Sequence, residues 1–223
     1  MKILRGTEEI GRERWLDLAN WRYLPYVNLQ LRLKGRSPEE IMAAMRYNRR
    51  REIRQTLAEG ATCHLARTEE EIGDLYHILA TLYAERVKVP LPGYEYFRQL
   101  YHSPCGRVFV VKHGETVIGG AFCLVLEGRG IYTLYYCGLR NYHKKIFPTH
   151  LAVVSAIEFG LENGLQLLDF MGAGLKDEPY GVRQYKVEFG GDLVEHGRFI
   201  KIFNPALYKV GKWGLAALKT LKS

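Results

Sequence analysis

The chain has 223 residues, ordinary apolar content and a formal net charge of +8. This length accommodates one large domain, or one domain with an appendage, around a full core. No apolar run approaches the roughly 20 residues that span a bilayer, and residues 1–15 lack the apolar core of a secretory signal, so we expect a cytoplasmic protein without an integral membrane segment.

The positive charge is concentrated in one predicted helix and at the C-terminus. The residues are Arg46, Arg49, Arg50, Arg51 and Arg54, and Lys201, Lys209, Lys212, Lys219 and Lys222. Such a surface attracts nucleic acid, phosphorylated substrates or anionic lipid heads without choosing among them. A solvated helix face explains the arginines equally well.

The four cysteines favour reduced thiols over disulfides or zinc. Cys63, Cys105, Cys123 and Cys137 form no CxxC pair and have no His at metal-ligand spacing. Cys123 and Cys137 lie in apolar segments, where a core position is expected.

The first third of the chain predicts a strand, a helix, a strand and a second helix. "YVNLQLRLKG" alternates like a strand, with little before it to pair with. Ser37 and Glu40 form a capping box that starts a helix expected to run to about Ala58 with its arginines outward. Its apolar contacts are predicted to be Ile41, Met45, Ile53 and Leu57. "ATCHLAR" predicts a strand, and a second capping box at Thr68 and Glu71 starts the next helix.

In the central third of the chain, apolar residues recur with a period of two, as in a strand. After the loop "VKVPLPG" and a short helix at "YEYFRQLY", three runs predict an antiparallel meander: "RVFVVKH", "TVIGGAFCLVLEG" and "GIYTLYYCGL". Pro148 opens a helix to Leu161, which leads as a parallel crossover into a strand at 165–170.

The last third is expected to carry the chemistry. The strand is predicted to open at Met171 into a Gly-rich turn, followed by a short segment with Arg183, Tyr185 and Lys186. One further strand, "DLVEHGRFIKIF", and an amphipathic helix at 205–221, with Trp213 and Leu218 inward, complete the chain. The order of elements predicts an α/β fold, with a mixed, mostly antiparallel sheet and helices on both faces.

This order, and "YGVRQYKVEFGGDLVEH" in particular, resembles the Fem-type (FemABX-like) aminoacyltransferases of the GNAT acyltransferase superfamily. The segments "RREIRQTLAEG", "LYAERVKVPLPGYEYFRQL" and "AIEFGLENGLQLLDFMG" are similar to that family too. The family has two GNAT domains in tandem. The resemblance therefore implies a shortened form, with residues 1–44 as a remnant of a first domain and residues 45–223 as a GNAT-like domain with a basic C-terminal helix.

The resemblance implies an enzyme that moves an aminoacyl group from aminoacyl-tRNA onto an amine, with no cofactor or metal. Its partners would be tRNA and a small-molecule or peptide amine. An acyl-CoA donor is the alternative chemistry, although "GLRNYHKKIFPTH" lacks the glycines of the usual acyl-CoA loop. Another alternative is a non-catalytic or half-site subunit, in which the strand at 23–34 pairs with a second chain in a homodimer or with a partner subunit.

The candidate catalytic residues are Lys186, Tyr185 and Asp169. Lys186 falls on the family's catalytic lysine, and its ammonium is expected to face an open cleft beside Tyr185 and to stabilise the oxyanion. A surface lysine is the alternative. Asp169 is expected to accept the proton of the amine or to orient Lys186, although it also fits the cap of a turn.

Six further residues are candidates for substrate binding: Arg86, Arg183, Tyr136, His143, Lys144 and Lys145. Arg86 is similar to a family arginine that contacts phosphates, and a helix C-cap explains it equally well. Arg183 is predicted to bind a phosphate or the 3′ end of tRNA. The His143–Lys145 group precedes a helix N-terminus and predicts either a phosphate site or a solvated loop. Tyr136 is expected to line the groove, and His150 to be a packed or surface histidine and not a base.

Overall fold

The computed structural model describes residues 2–5, 21–87 and 89–221, and for residues 2–5 and 215–221 it describes the backbone alone. The strands are β1 (Lys2–Arg5), β2 (Arg22–Leu24), β3 (Tyr26–Arg32), β4 (Ala61–Leu65), β5 (Gly106–His113), β6 (Thr116–Leu126), β7 (Gly130–Gly138), β8 (Leu167–Leu175), β9 (Asp192–Glu195) and β10 (Arg198–Lys201). The helices are α1 (Pro38–Ala44), α2 (Tyr47–Ala58), α3 (Glu69–Leu82), α4 (Tyr94–His102), α5 (Pro148–Glu162), α6 (Gly181–Val187) and α7 (Pro205–Leu221). A π-helical turn, Tyr83–Val87, follows α3.

The chain forms two compact units, and each is assembled from separate parts of the sequence. The larger comprises residues 29–173 and 180–193, and the smaller comprises residues 1–28, 174–179 and 194–223. This division does not follow the predicted boundary at residue 44, because the second half of β3 and all of α1 belong to the larger unit. The origin of residues 1–44 as a remnant of a first domain stays a prediction.

The strands form a seven-stranded sheet and a three-stranded sheet. The large sheet has the order β4-β5-β6-β7-β8-β3-β9, and the small sheet has the order β1-β10-β2. In the large sheet β4 to β7 pair antiparallel, and β7 and β8 pair parallel. The α/β fold with a mostly antiparallel mixed sheet is confirmed. Because β3 lies between β8 and β9, the alternative in which this strand pairs with a second chain is wrong.

Helices cover both faces of the large sheet, because its strands are apolar on both sides. Along β5, Val108 and Val110 pack against α3 and α4, whereas Phe109 and Val111 belong to the core that contains α5. Alternate residues of a strand point to opposite faces, so one strand serves two cores. Cys123 and Cys137 are buried in these cores, as predicted.

The predicted helix from Ser37 to Ala58 is two helices. The capping box is confirmed, since the hydroxyl of Ser37 accepts from the amide of Glu40 and the carboxylate of Glu40 accepts from the amide of Ser37 at 2.7 Å. Helix α1 ends because Met45 is extended, with a ψ of 151°. The amide of Arg46 then donates to the carbonyl oxygen of Glu188, which is distant in sequence.

Several local predictions are wrong. Met171 lies within β8, with a left-handed φ of 61°, and the strand continues to Leu175 where a turn was expected. The predicted last strand is two strands, β9 and β10, which belong to different sheets. Of the residues expected inward, Leu57 and Trp213 are exposed, and the side chain of Leu218 lies outside the described residues. Arg49, expected outward, is buried.

Candidate active site

A cavity of about 970 Å³ opens where β7 ends and α5 begins. The start of α5 approaches the end of β7 closely at Gly138, where a Cβ atom would lie 2.8 Å from the hydroxyl of Thr149 and 2.9 Å from Cβ of Pro148. Only glycine permits this approach. The lining comes from the larger unit alone, from α3, β7, the β7–α5 loop, α5 and α6.

The floor of the cavity lies beside a divergence of the sheet. The parallel pairing of β7 with β8 runs from Gly130 and Leu167 to Tyr132 and Asp169, and both strands continue for six residues beyond this point. Helix α6 makes contact with the end of β8. Arg183 Nε donates to the carbonyl oxygen of Ala173 at 2.8 Å, and Lys186 Nζ donates to the carbonyl oxygen of Gly172 at 2.9 Å and to that of Phe170. These contacts position α6 against the open cavity.

One wall of the cavity is cationic. Arg140, His143 and Lys144 line it from the β7–α5 loop. Three cationic or potentially cationic side chains on a single loop suit an anionic substrate group. The predicted substrate-binding residues His143 and Lys144 therefore lie together at the cavity.

Several backbone amides at the start of α5 are already committed. The amide of Phe147 donates to the hydroxyl of Thr56 at 2.9 Å, Pro148 has no N–H, and the amides of His150 and Leu151 both donate to the carbonyl oxygen of Phe147. A pyrophosphate cradle requires several uncommitted amides that converge on the ligand. These amides are therefore not available to an anion, whereas the side chains of Arg140, His143 and Lys144 line the cavity.

The opposite wall is aromatic. The rings of Tyr136 and Tyr185 stack with their centroids 5.8 Å apart, and both line the cavity. Tyr135, the next residue of the strand, contacts Phe97 on the other face of the sheet. Burial raises the pKa values of Tyr136 and Tyr185, so both hydroxyl groups stay protonated. The Tyr185 hydroxyl is buried and makes no hydrogen bond within the described part of the chain.

A buried ionic cluster lies behind Tyr185. The guanidinium of Arg49 on α2 forms ion pairs with Glu188 and with Glu52, the latter at 3.4 Å. It also lies 4.6 Å from the centroid of the Tyr185 ring and 4.7 Å from that of Phe189, which suits a cation–π contact. The cluster joins α2 to the end of α6 and so fixes the aromatic wall.

His150 is the neutral member of this cluster. It stacks on Phe147, and its Nε2 contacts the guanidinium of Arg49 and must accept from it. The hydrogen is therefore on Nδ1, which lies 3.3 Å from Glu52 in a geometry that makes no hydrogen bond. Burial and the charge of Arg49 lower the pKa of His150 to about 3. A pKa this low makes a poor proton acceptor near neutral pH, in line with the predicted packed histidine.

Lys186 is buried, with 4% of its surface exposed. The expectation that its ammonium faces an open cleft is wrong, and so is the alternative of a surface lysine, because the side chain extends to the carbonyl oxygens of β8. Burial lowers the pKa of Lys186 to about 8, and the charge of Asp169 opposes this shift. Its catalytic role stays a prediction.

Asp169 is buried, and its negative charge acts to raise the pKa of Lys186. Its carboxylate accepts from the amide of Met171 and, at 3.0 Å, from the side chain of Gln30. Hydrogen bonds to both oxygens keep the group in a fixed orientation. This arrangement fits the predicted orienting role better than that of a proton acceptor for the amine.

The remaining predicted residues lie away from the cavity lining. Lys145 forms an ion pair with Glu59 at 2.9 Å, and this hydrogen bond lowers the pKa of Glu59. Arg86 is exposed on the π-helical turn, four residues after Leu82, which does line the cavity. The phosphate-binding roles of Lys145, Arg86 and Arg183 stay predictions.

Arg140, Arg49 and Glu188 were missed from the sequence. Arg140 follows the end of a predicted strand and precedes the basic loop residues, so its position was a usable signal. Arg49 and Glu188 are 139 residues apart, and nothing in the sequence near either residue indicated their contact.

Within the described residues no cluster of His, Cys, Asp or Glu is arranged to hold a metal ion.

The fold is shared with several solved structures. FemX is 16% identical over 87% of this chain and 69% of its own, with a TM-score of 0.67. L-PGS from Bacillus licheniformis is 14% identical over 93% and 69%, with a TM-score of 0.63. A C-terminal DUF2156 domain from Agrobacterium fabrum is 11% identical over 97% and 72%, with a TM-score of 0.69. The resemblance to Fem-type proteins is confirmed at the level of the fold.

Sequence comparisons identify the superfamily. A search of curated protein sequences found no match. The model of the acetyltransferase (GNAT) domain matches residues 43–187, which is more than half of the chain and includes every lining residue of the cavity. The chain therefore belongs to the GNAT acetyltransferase family.

Proposed function

We propose that the protein is an aminoacyltransferase, which moves an aminoacyl group from aminoacyl-tRNA onto an amine. The amine nitrogen attacks the ester carbonyl carbon and forms a C–N bond. The C–O bond to the terminal ribose breaks, and the ribose oxygen receives the proton that the amine gives up. The protein has to hold both partners, stabilise the oxyanion and exclude water.

The observation that carries this proposal is the way the cavity presents its positive charge. Arg140, His143 and Lys144 are side-chain groups on an open loop, whereas the neighbouring amides of Phe147, His150 and Leu151 already have partners. Side-chain cations suit the phosphodiester backbone of a nucleic acid, which needs no single tight cradle.

The outer face of α2 supports a nucleic-acid donor. Arg46, Arg51 and Arg54 are exposed, and no ion pair holds them within the described part of the chain. Tyr47 stands beside them with 69% of its surface exposed. Exposed arginines with an aromatic ring match the needs of single-stranded or looped RNA, where bases stack and phosphates pair with cations.

Lys186 is proposed as the group that assists the oxyanion. An ammonium has three N–H donors, and the carbonyl oxygens of Phe170 and Gly172 take two of them. Lys186 is buried and does not line the cavity, so we propose that the third N–H meets a substrate that enters between the diverging ends of β7 and β8. Two fixed carbonyl contacts give this donor the preorganised direction that such stabilisation requires.

An acyl-CoA donor is the second candidate, favoured by the match to the GNAT acetyltransferase domain.

The test incubates the protein separately with labelled aminoacyl-tRNA and labelled acetyl-CoA, in the presence of a panel of amines. We expect amide formation from the tRNA donor alone. The double variant Arg140→Ala/Lys144→Ala should raise KM for tRNA about tenfold or more and reduce its salt dependence. Arg129→Ala, at the opposite end of β7, is the matched control and should leave KM unchanged.

The same assay tests Lys186. Lys186→Met should lower kcat by at least 100-fold with little change in KM, the signature of a contact made in the transition state. Amide formation from acetyl-CoA alone would replace the proposal by the second candidate. Transfer from neither donor would refute both.

A further inference from the structure

Helix α7 exposes its apolar side chains to solvent. The exposed fractions are 68% for Leu207, 60% for Val210 and 72% for Trp213, and Phe203 just before the helix is 66% exposed. Large apolar side chains are usually exposed singly in a folded protein. Four within eleven residues mark a surface that binds something apolar.

The apolar residues of α7 share one side of the helix. At about 100° per residue, Leu207, Val210 and Trp213 fall within an arc of about 120°. Lys212 lies on the opposite side, and Lys209 lies on the flank. The helix is thus amphipathic, with an apolar side that no described part of the chain covers.

The charge around this apolar side has a single sign. From Lys201 to Ser223 the sequence contains five lysines and no Asp or Glu. Nζ of Lys201 lies 5.7 Å from the centroid of the exposed Phe203 ring, and Nζ of Lys212 lies 5.9 Å from that of the half-buried Tyr208 ring. A lysine beside an exposed ring can offer its ammonium group to an anionic surface while its stem packs on apolar atoms.

We propose that Phe203 and the apolar side of α7 bind the surface of an anionic phospholipid membrane. The helix would lie in the plane of the interface, with Leu207, Val210 and Trp213 among the upper acyl chains and the lysines among the headgroup phosphates. No described helix is long and apolar enough to cross a bilayer, so the attachment is to the surface. This inference does not rest on the proposed aminoacyl transfer.

The charge pattern favours a membrane over a second copy of the chain. Two copies joined through α7 would bring their lysines together without a carboxylate from either helix. An anionic bilayer supplies both the apolar medium and the opposite charge, which attracts each nearby lysine. A nucleic acid would satisfy the lysines and leave the apolar side in water.

The experiment measures co-sedimentation of the full chain with vesicles of phosphatidylcholine alone or with one quarter phosphatidylglycerol. We expect binding to the anionic vesicles, at least tenfold weaker binding to the neutral ones, and weakening at 0.5 M salt. Leu207→Glu/Val210→Glu should lower the partition coefficient at least tenfold. Leu57→Glu, a leucine of α2 with 52% exposure, is the matched control and should change it less than twofold.

A second measurement separates binding through α7 from binding elsewhere. The difference between the emission spectra of the wild type and Trp213→Phe reports on Trp213, and it should shift to shorter wavelength with anionic vesicles. Absence of binding, equal binding to neutral vesicles, or an unaffected double Glu variant would each overturn the proposal. A dimer in light scattering that the double Glu variant abolishes, without vesicle binding, would assign the face to a second copy.

Discussion

Two buried cations, Arg49 and Lys186, lie near the C-terminal end of the same short helix, α6, and are held in opposite ways. Arg49 has two carboxylate partners and two aromatic rings, so its charge is compensated by fixed neighbours, although its buried Nε makes no hydrogen bond within the described residues. Lys186 donates to neutral carbonyl oxygens. The first arrangement suits a permanent anchor. The second keeps an ammonium that loses its proton near pH 8, and perturbed groups of this kind are concentrated at functional sites.

The largest expected effect comes from breaking the anchor. Arg49→Met leaves the carboxylates of Glu188 and Glu52 without their partner and removes the cation above Tyr185. We expect the free energy of unfolding to fall by about 3–5 kcal/mol, as for other half-broken buried ion pairs. Urea denaturation measures it. Arg51→Met, on the exposed side of the same helix, should stay within about 0.5 kcal/mol, and an equally small loss for Arg49→Met would refute the anchor.

The second prediction uses pH to distinguish the two cations. Lys186 titrates near pH 8 when folded and near 10.5 when unfolded, so between these values the folded chain binds fewer protons. The wild type should therefore gain stability relative to Lys186→Met as the pH rises from 7.5 to 10.5, by up to about 3 kcal/mol. Comparing the two proteins at each pH cancels the other titrating groups. A difference that does not change with pH would show that the ammonium is not destabilised by burial.

The smallest expected effect concerns the ring between the two cations. Tyr185→Phe keeps the stack on Tyr136 and the contact with Arg49, and it removes a buried hydroxyl that has no partner in the described structure. We expect the free energy of unfolding to be unchanged or to rise by up to about 1 kcal/mol. Thermal and urea unfolding measure it. A loss above 1 kcal/mol would mean that the hydroxyl is hydrogen-bonded after all.

The sequence predicted most elements because their signals are local. The capping box at Ser37, the period of two from Arg107 and the proline that opens α5 all act within a few residues, and all three are confirmed. The fold class follows from the order of these elements. His143, Lys144, Tyr136 and Tyr185 line one cavity, and their roles there stay predictions.

The wrong predictions concern contacts between residues that are far apart in the sequence. Nothing near Arg49 indicated that Glu188 would draw it inward, and nothing at Met45 and Arg46 indicated a helix break that is completed by the carbonyl of Glu188. Lys186 was placed by resemblance, which fixed its position in sequence and not the direction of its side chain. Trp213 was expected inward because amphipathic helices usually cover a core, yet the periodicity of a helix does not say what lies against its apolar side.

The small sheet constrains the order in which parts of the chain can fold. Strands β1 and β2 do not pair with each other; each pairs with β10, which lies between them. During synthesis β1 and β2 leave the ribosome long before β10, the partner of both, emerges. The larger unit lacks this delay for β4 to β8, so it is expected to form first, with the amino-terminal strands recruited at the end. Segments that wait unpaired are the natural targets of chaperones and proteases.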